Sequence, residues 1–583
     1  MDTDRIKILY KITIFAFILL LIRVIYLQYF DDSLKSRSLF NKVRKEIIEP
    51  SRGLIHDRNG ITLIDNQHTY NLYIVPEQFL PSEYSIDFIT DILEIDKDSL
   101  ISVLMDKSVK EDRYFRLQRN IDFSIFSYIS EQEGKLRGVK VKNEWTRNFK
   151  KITSPHVLGY LGEVRSKQAI EGDIVIGDLK GKEGVEYVYD KILRGKKGFK
   201  KVIRDVKNNR VSDYDKENWA QAVKGKDIYL TIDYNLQSFV ENLFEGHSGS
   251  IIVEDCTNGE ILSMVSKPDF PLDIFSRKMS VKEWNKWSED PLKPLYNKTI
   301  LGLYPPGSVI KMGSALAALE NNIVSTKTEF NCPGGMQIGR RFMKCWNKKG
   351  HGDVDLVLAI MMSCDTYFYN IAHHIDLDDW EVYLRKLGFG EKTGIDLKFE
   401  RAGLLPDEEY YRKRIKGNLI GRYANLMIGQ GEILTTPLQI ADYTCLLANG
   451  GIKFTPHLLY KSGADDNFEY YEHSTVDTIE INSIYLKKIR EAMFNVVNVE
   501  GGTAYWSRSG KITFAGKTGT AQNPHGADHG WFTAYGPYED PKIVVTVFEE
   551  HGLHGSTVAR YAKKIFEYWE ENMREKPIES PLP

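Results

Sequence analysis

From Ile12 to Phe30 the sequence is almost continuously apolar, and Arg23 is the one charge inside the run. Nineteen residues of helix span about 28 Å at 1.5 Å per residue, close to the hydrocarbon thickness of a bilayer. Arg23 lies near the far end, where a long side chain snorkels to the interface. The stretch is long for a signal-peptide core, and no small-residue cleavage site follows it. Arg5, Lys7 and Lys11 precede it, so the positive-inside rule keeps the short tail, residues 1–11, in the cytoplasm. Residues 12–30 then read as a transmembrane helix of the cytoplasmic (inner) membrane. The rest of the chain is expected beyond that membrane, in the periplasm or outside.

The 583 residues are enough for two to four domains. The formal net charge of −2 excludes a basic nucleic-acid binder, so no nucleic-acid partner is expected. Five cysteines exclude a disulfide scaffold, and a mean hydropathy of −0.35 excludes a polytopic membrane protein. Residues 31–225 alternate helical patterns such as Ile86–Leu104 with strand-like runs such as Thr69–Val75, and carry no catalytic constellation. Near 225 the texture changes. A strand (Ile228–Ile232), a helix (Leu236–Phe244) and a strand (Ser250–Glu254) follow, then an Asn258-Gly259 turn into Glu260–Val265, a hairpin signal. The prolines of 575–583 mark a frayed tail, leaving 226–574 as the second large domain.

Tyr304-Pro305-Pro306-Gly307-Ser308-Val309-Ile310-Lys311 opens a helical run, Met312–Glu320. Ser308 and Lys311 are three apart and share a helix face. A lysine in a partly desolvated site can lose its proton and activate a serine. A serine at a helix N-terminus also has backbone N–H groups aimed where an oxyanion forms. Ser-x-x-Lys is one of three elements found together in penicillin-recognising serine enzymes, the others being Ser-Asp-Asn-like and Lys-Thr-Gly. Downstream stands Ser363-Cys364-Asp365, after an apolar helical run. There are two Lys-Thr-Gly triplets, and Lys517-Thr518-Gly519-Thr520 is preferred. It follows the strand-like Ile512–Ala515, whereas Lys392-Thr393-Gly394 lies only 29 residues past Ser363 and lacks the trailing threonine.

With these motifs the chain resembles the class B penicillin-binding proteins, membrane-anchored D,D-transpeptidases. The resemblance extends to Arg52-Gly53-Leu54-Ile55-His56-Asp57-Arg58-Asn59-Gly60, Leu158-Gly159-Tyr160-Leu161-Gly162, Gly184-Val185-Glu186-Tyr187, Gly429-Gln430-Gly431 and Thr435-Thr436-Pro437-Leu438-Gln439. It implies an α+β multidomain fold. An N-terminal transmembrane helix leads to an elongated mixed α/β pedestal (31–225) and then a transpeptidase domain, an antiparallel sheet flanked by helices with an all-helical subdomain. Gly350-His351-Gly352 and Asp365, where division enzymes carry Asn, favour the cell-elongation branch over the division branch.

The resemblance further implies the chemistry. Ser308 attacks the carbonyl between the terminal D-alanines of a peptidoglycan stem peptide, and Lys311 takes its proton. Ser363 relays a proton to the departing D-alanine, with Asp365 beside it in an undecided role. Lys517 tunes that network by its charge, while Thr518, Gly519 and Thr520 hold the terminal carboxylate. The N–H groups of Ser308 and Thr520 form the oxyanion hole. β-Lactams stall at the acyl stage. A SEDS-family glycosyltransferase is the implied membrane partner. A carboxypeptidase or β-lactamase would need a deacylating water and base, and no such element is seen. A non-enzymatic β-lactam sensor would carry a cytoplasmic signalling domain, and only about eleven residues precede the apolar run.

Cys332, Cys345 and Cys364 fall within 33 residues, with His351 among them. Three Cys and one His are a zinc-like set, but the spacing is not that of a zinc finger. A disulfide, favoured in an extracytoplasmic compartment, and inert thiols remain open. The resemblance to elongation-type members implies a structural Zn²⁺ on these four residues, pinning the Ser363 motif. Cys256 and Cys445 read as buried small hydrophobes. His529 is expected beside the cleft without a catalytic role, and Trp346 and Tyr304 are candidates to line it.

Overall fold

The computed structural model describes residues 3–29, 42–105 (apart from 77 and 80), 115–151 (apart from 133 and 134), 153–164, 172–204 (apart from 176), 210–214, 219–276, 279–414, 419–464, 467–472 and 475–574 (apart from 525). The expected tail at 575–583 and Phe30 lie outside them. The chain divides into two compact units, Met1–Arg52 with Arg194–Gly225, and Gly53–Leu193 with Lys226–Pro583.

In the first unit a helix spans Thr3–Tyr29. Its segment Asp4–Tyr29 is long and apolar enough to cross a membrane. The helix starts well before the apolar run because the intervening Arg, Lys and Leu residues are good helix formers. The unit also holds a three-stranded antiparallel sheet, with Gly198–Arg204 between Val43–Ile48 and Arg210–Tyr214.

The second unit holds a seven-stranded sheet that recruits strands from both sides of residue 225. Asp227–Leu230 pairs parallel with Ile55–His56 on one edge and antiparallel with Leu459–Ala464 on the other. Beyond Ile55–His56 lies the long strand Thr62–Ile74, which pairs with Val139–Phe149 and Phe115–Ile121. Arg147 on this sheet makes a buried ion pair with Glu186 at 2.7 Å and donates to Gly53 O and Asn66 Oδ1. One guanidinium thus ties together Gly53 and the Gly184-Val185-Glu186 segment. Gly159 has φ +75°, and a Cβ there would fall 1.9 Å from Glu183 O, so only glycine permits this close approach.

The helical pattern over Ile86–Leu104 resolves into two helices, Glu83–Leu93 and Lys97–Met105. Glu94 takes a left-handed conformation (φ 51°) and ends the first, while Ser82 and Ser85 cap its start reciprocally. Ile89 and Leu100 still reach the same small core, with Leu72, Leu117 and Val139, so apolar periodicity continues across the break.

The larger core surrounds a five-stranded antiparallel sheet. We label its strands β1 (Gly249–Asp255), β2 (Ile261–Lys267), β3 (Ala515–Ala521), β4 (His529–Gly536) and β5 (Ile543–Glu549); the order is β2-β1-β5-β4-β3. The Asn258-Gly259 turn joins β1 to β2 as an antiparallel hairpin, with Gly259 at φ +82°. The surrounding helices are α1 (Lys311–Glu320), α2 (Leu356–Met361), α3 (Asp365–Ala372), α4 (Pro437–Asn449), α5 (Ser483–Asn498) and α6 (Gly555–Asn572). Pro437 at the first turn and the Thr436/Gln439 capping box start α4, and Gly450 in the left-handed region ends it. The strand β3 lies at the end of the sheet, leaving one edge unpaired by any strand among the described residues.

Candidate active site

The Ser308 turn departs from the expected geometry in one respect. Gly307–Ile310 forms a 3₁₀ turn, and the α-helix begins only at Lys311. A 3₁₀ turn has three residues per turn, so positions i and i+3 eclipse. Ser308 and Lys311 therefore still share a face. Gly307 has φ +57°, its N–H donates to Gly429 O at 2.8 Å, and a Cβ on it would meet Thr520 O at 2.6 Å. Strand β3 thus runs directly against the turn that carries Ser308.

Lys311 is fully buried. Its ammonium donates to Asp365 Oδ1 at 2.7 Å, to Ser363 O at 3.0 Å and to Ser363 Oγ at 3.3 Å. An ammonium has three donors, so all are taken by the Ser363–Asp365 segment. Among the described residues the Ser308 hydroxyl has no recorded hydrogen bond. Asp365, whose role the sequence left undecided, is the counter-ion of Lys311, and its Oδ2 accepts from the Trp346 N–H at 3.0 Å.

Ser363 sits between α2 and α3 with φ 56°, uncommon for a residue with a side chain. That conformation places its hydroxyl between two lysines. Lys517 Nζ donates to Ser363 Oγ at 3.0 Å and to Thr518 O at 2.9 Å. A serine hydroxyl has two acceptor positions and one donor. With both acceptor positions filled, the Ser363 proton is left to point elsewhere. Lys517 is fully buried; burial, and then the charge of Lys311, push its pKa well below the ordinary lysine range.

Thr518 Oγ1 lies 2.6 Å from Thr503 Oγ1, a partner that sequence reading missed. Gly519 lets β3 approach the nucleophile turn, since a Cβ there would stand about 3 Å from Val309 and Pro306 O. Thr520 Oγ1 accepts only a long contact, 3.4 Å, from Gly555 N–H. His529 starts β4 beside β3 and accepts from the His551 N–H; burial lowers its pKa. Trp531, on the same strand, donates from Nε1 to Pro305 O at 3.0 Å. The exposed Trp346 donates from Nε1 to Met362 O, beside Ser363. Tyr304 points instead into an aromatic cluster with Phe548, His529 and Trp531, and donates to Glu550. In the other Lys-Thr-Gly triplet, Thr393 N–H and O–H and Gly394 N–H all donate to Glu400, a purely local loop contact.

Cys332, Cys345, His351 and Cys364 come together, their ligand atoms all within 4.8 Å of one another. No disulfide forms; the five cysteines are free thiols. Both Cys332 Sγ and Cys345 Sγ lie 3.6 Å from His351 Nδ1. Tetrahedral zinc with ordinary Zn–S and Zn–N bonds separates S from N by about 3.6 Å, so the donor set and its spacing fit that ion. Sharing of a proton with Cys364 pushes the Cys345 thiol down to about 2 and the Cys364 thiol up. Cys256 and Cys445 are buried, and burial raises both thiols.

Residues 249–567 match the penicillin binding protein transpeptidase domain, and residues 47–230 match the penicillin-binding protein dimerisation domain. The chain is a class B penicillin-binding protein. Its similarities place it with the elongation type. It is 32% identical to the peptidoglycan D,D-transpeptidase MrdA of Acinetobacter baumannii, over 97% of this chain and 87% of that one. It superposes with a TM-score of 0.80 and 32% identity on the penicillin-binding protein (PBP2) of a Helicobacter pylori complex with MreC, covering 91% of this chain and 99% of the other. A peptidoglycan synthase complex, solved to show how polymerization and crosslinking are coordinated, contains a chain matching with a TM-score of 0.69 and 26% identity, over 99% and 100%.

Proposed function

We propose that this class B penicillin-binding protein is a peptidoglycan D,D-transpeptidase that cross-links stem peptides during cell elongation, and that β-lactams acylate it. The observation that carries the reading is the placement of Ser363 Oγ between the Lys311 and Lys517 amines, beside the Ser308 turn and β3.

Ser308 Oγ attacks the carbonyl carbon of the D-Ala-D-Ala bond. The Oγ–C bond forms, and the oxyanion is held by the N–H groups of Ser308 and Thr520. Two buried ammoniums side by side are unfavourable, and burial weakens the proton affinity of Lys517. When the neutral Lys517 amine turns its lone pair to the Ser363 hydroxyl and the hydroxyl turns toward it, the Ser363 proton moves to Lys517, a Lys311 proton replaces it, and Lys311 becomes the neutral amine. Lys311 then takes the Ser308 proton. The C–N bond breaks, the leaving D-alanine amine takes the proton from Ser363, and the Lys311 ammonium returns the proton it took from Ser308 to Ser363 Oγ. An amine from a second stem repeats the steps in reverse and releases Ser308. Thr518, Gly519 and Thr520 bind the donor's terminal carboxylate, with Asp365 holding Lys311.

Cys332, Cys345, His351 and Cys364 would hold a Zn²⁺ that supplies a structural cross-link. Because Cys364 lies between Ser363 and Asp365, fixing it fixes both neighbours. Residues 31–225 act as pedestal and 226–574 as catalytic domain, anchored by the N-terminal helix with its start in the cytoplasm. A SEDS-family glycosyltransferase and an MreC-like scaffold are the proposed partners, the second by analogy with the Helicobacter pylori complex.

The test is covalent labelling with a fluorescent penicillin, followed by intact-mass measurement and adduct mapping. The expected result is one adduct on Ser308, absent in Ser308→Ala. Retained labelling of that variant would overturn the assignment.

A further inference from the structure

The unpaired edge of β3 is closed at its far end by a side chain. Gln430 Nε2 donates to Thr520 O at 2.9 Å, and Gln430 Oε1 accepts from the Gln522 N–H at 3.3 Å. In an extended strand the C=O and N–H of one residue project to the same edge, and so do those of the residue two further on. A neighbouring parallel strand would engage that C=O and the N–H two residues on with the N–H and C=O of one residue. The carboxamide of Gln430 supplies that donor and that acceptor instead.

This placement has a consequence for Thr520. Its C=O is directed outward to Gln430, so its N–H faces the same edge, toward the cleft and the Ser308 turn. The residue before Gln430 grips the other half of the site, since Gly307 N–H donates to Gly429 O at 2.8 Å. At Gly429 (φ +74°) a Cβ would stand 2.1 Å from Gly307 O. Two adjacent residues, Gly429 and Gln430, therefore fix the Ser308 turn and the β3 edge at Thr520 against each other.

We infer that Gln430 is a positioning residue for the oxyanion hole. By docking on Thr520 C=O and Gln522 N–H it fixes the 520–521 peptide and the strand edge at Thr520 Cα, and through that Cα the aim of the Thr520 N–H at the developing oxyanion. The inference rests on the acyl-transfer reading above. It predicts a selective effect. Initial β-lactam binding depends on the carboxylate and side-chain contacts and is little changed. The acylation step, in which charge develops on the carbonyl oxygen, is slowed. Loss of an oxyanion donor costs 10²–10³ in rate, and misaiming one is expected to cost about 30-fold.

The experiment uses the full-length protein in detergent and separates the acylation rate constant from the initial dissociation constant for a penicillin. A boronic acid, which forms a tetrahedral adduct on the serine, reports affinity for the transition-state geometry. Gln430→Glu keeps the size of the side chain and the acceptor for Gln522 but removes the donor to Thr520; Gln430→Leu removes both. Each is expected to lower the acylation rate constant by about 30-fold, to weaken the boronic acid in parallel, and to change the initial dissociation constant by less than about threefold. Wild-type acylation and boronic acid affinity in Gln430→Glu would overturn the inference alone. So would a loss confined to initial binding. A wild-type adduct mapped away from Ser308 would overturn the acyl-transfer reading, and this inference with it.

Discussion

Lys311 and Asp365 meet at 2.7 Å inside the protein, the lysine fully buried and the carboxylate nearly so. The pair joins the first residue of α1 to the first residue of α3, and through Trp346 N–H it joins both to the loop that follows Cys345. The Ser308 turn, the Ser363 turn and the cysteine cluster are thereby one electrostatic unit.

Removing the carboxylate strands a buried ammonium. Asp365→Ala is expected to lower stability by about 3 kcal/mol, in the range for breaking a buried ion pair from one side. Asp365→Asn keeps an acceptor for Lys311 and is expected to cost about 1 kcal/mol, the scale of one net hydrogen bond. Chemical denaturation of the two variants checks the order.

The pH dependence follows from Lys517. Its folded pKa is depressed by burial, so the folded state binds fewer protons than the unfolded one between that depressed value and the ordinary 10.5. Stability from this group therefore rises with pH across that window. Acylation, which needs the neutral amine in the network, is lost as pH falls through the depressed value. Lys517→Arg, which stays charged, is expected to abolish that limb of the pH–rate profile and to slow acylation at every pH. Stopped-flow acylation across pH measures it.

The Arg147–Glu186 pair lies on the seven-stranded sheet, apart from the five-stranded sheet that carries Lys517, and its loss is expected to destabilise the fold without touching the candidate site. Glu186→Ala removes the carboxylate from a buried guanidinium, and about 3–5 kcal/mol of stability is expected to go. A lowered thermal midpoint with β-lactam acylation intact below it is the expected record.

Metal removal gives a fourth test. Elemental analysis of anaerobically purified protein is expected to return one zinc per chain. Cys364→Ser, or a strong chelator, is expected to remove it, lower the thermal midpoint and slow acylation through the Ser363 turn. Absence of zinc from active wild-type protein would refute the metal assignment.

What the sequence made legible was local. The apolar run, Ser308 with Lys311, Ser363 with Asp365, and Lys517-Thr518-Gly519-Thr520 each occupy a few consecutive positions, where backbone geometry alone sets which groups share a face. The contacts that escaped are distant ones. Gln430 reaches Thr520 across 90 positions, and Lys311 finds Asp365 across 54; no spacing rule covers such pairs. Thr503 was missed although it is only 15 positions from Thr518, because a threonine in a glycine-rich loop carries no pattern of its own. The break at Glu94 was hidden for the opposite reason. The apolar residues on either side keep a helical rhythm, and only the backbone shows that the rhythm is shared by two helices.

Asp227–Leu230 has the chain's early residues on one flank and its late residues on the other. Expressed by itself, the portion from 226 onward would present a raw row of amide donors and carbonyl acceptors where Ile55–His56 belongs, an invitation to self-association. The two portions are in that sense not interchangeable cassettes.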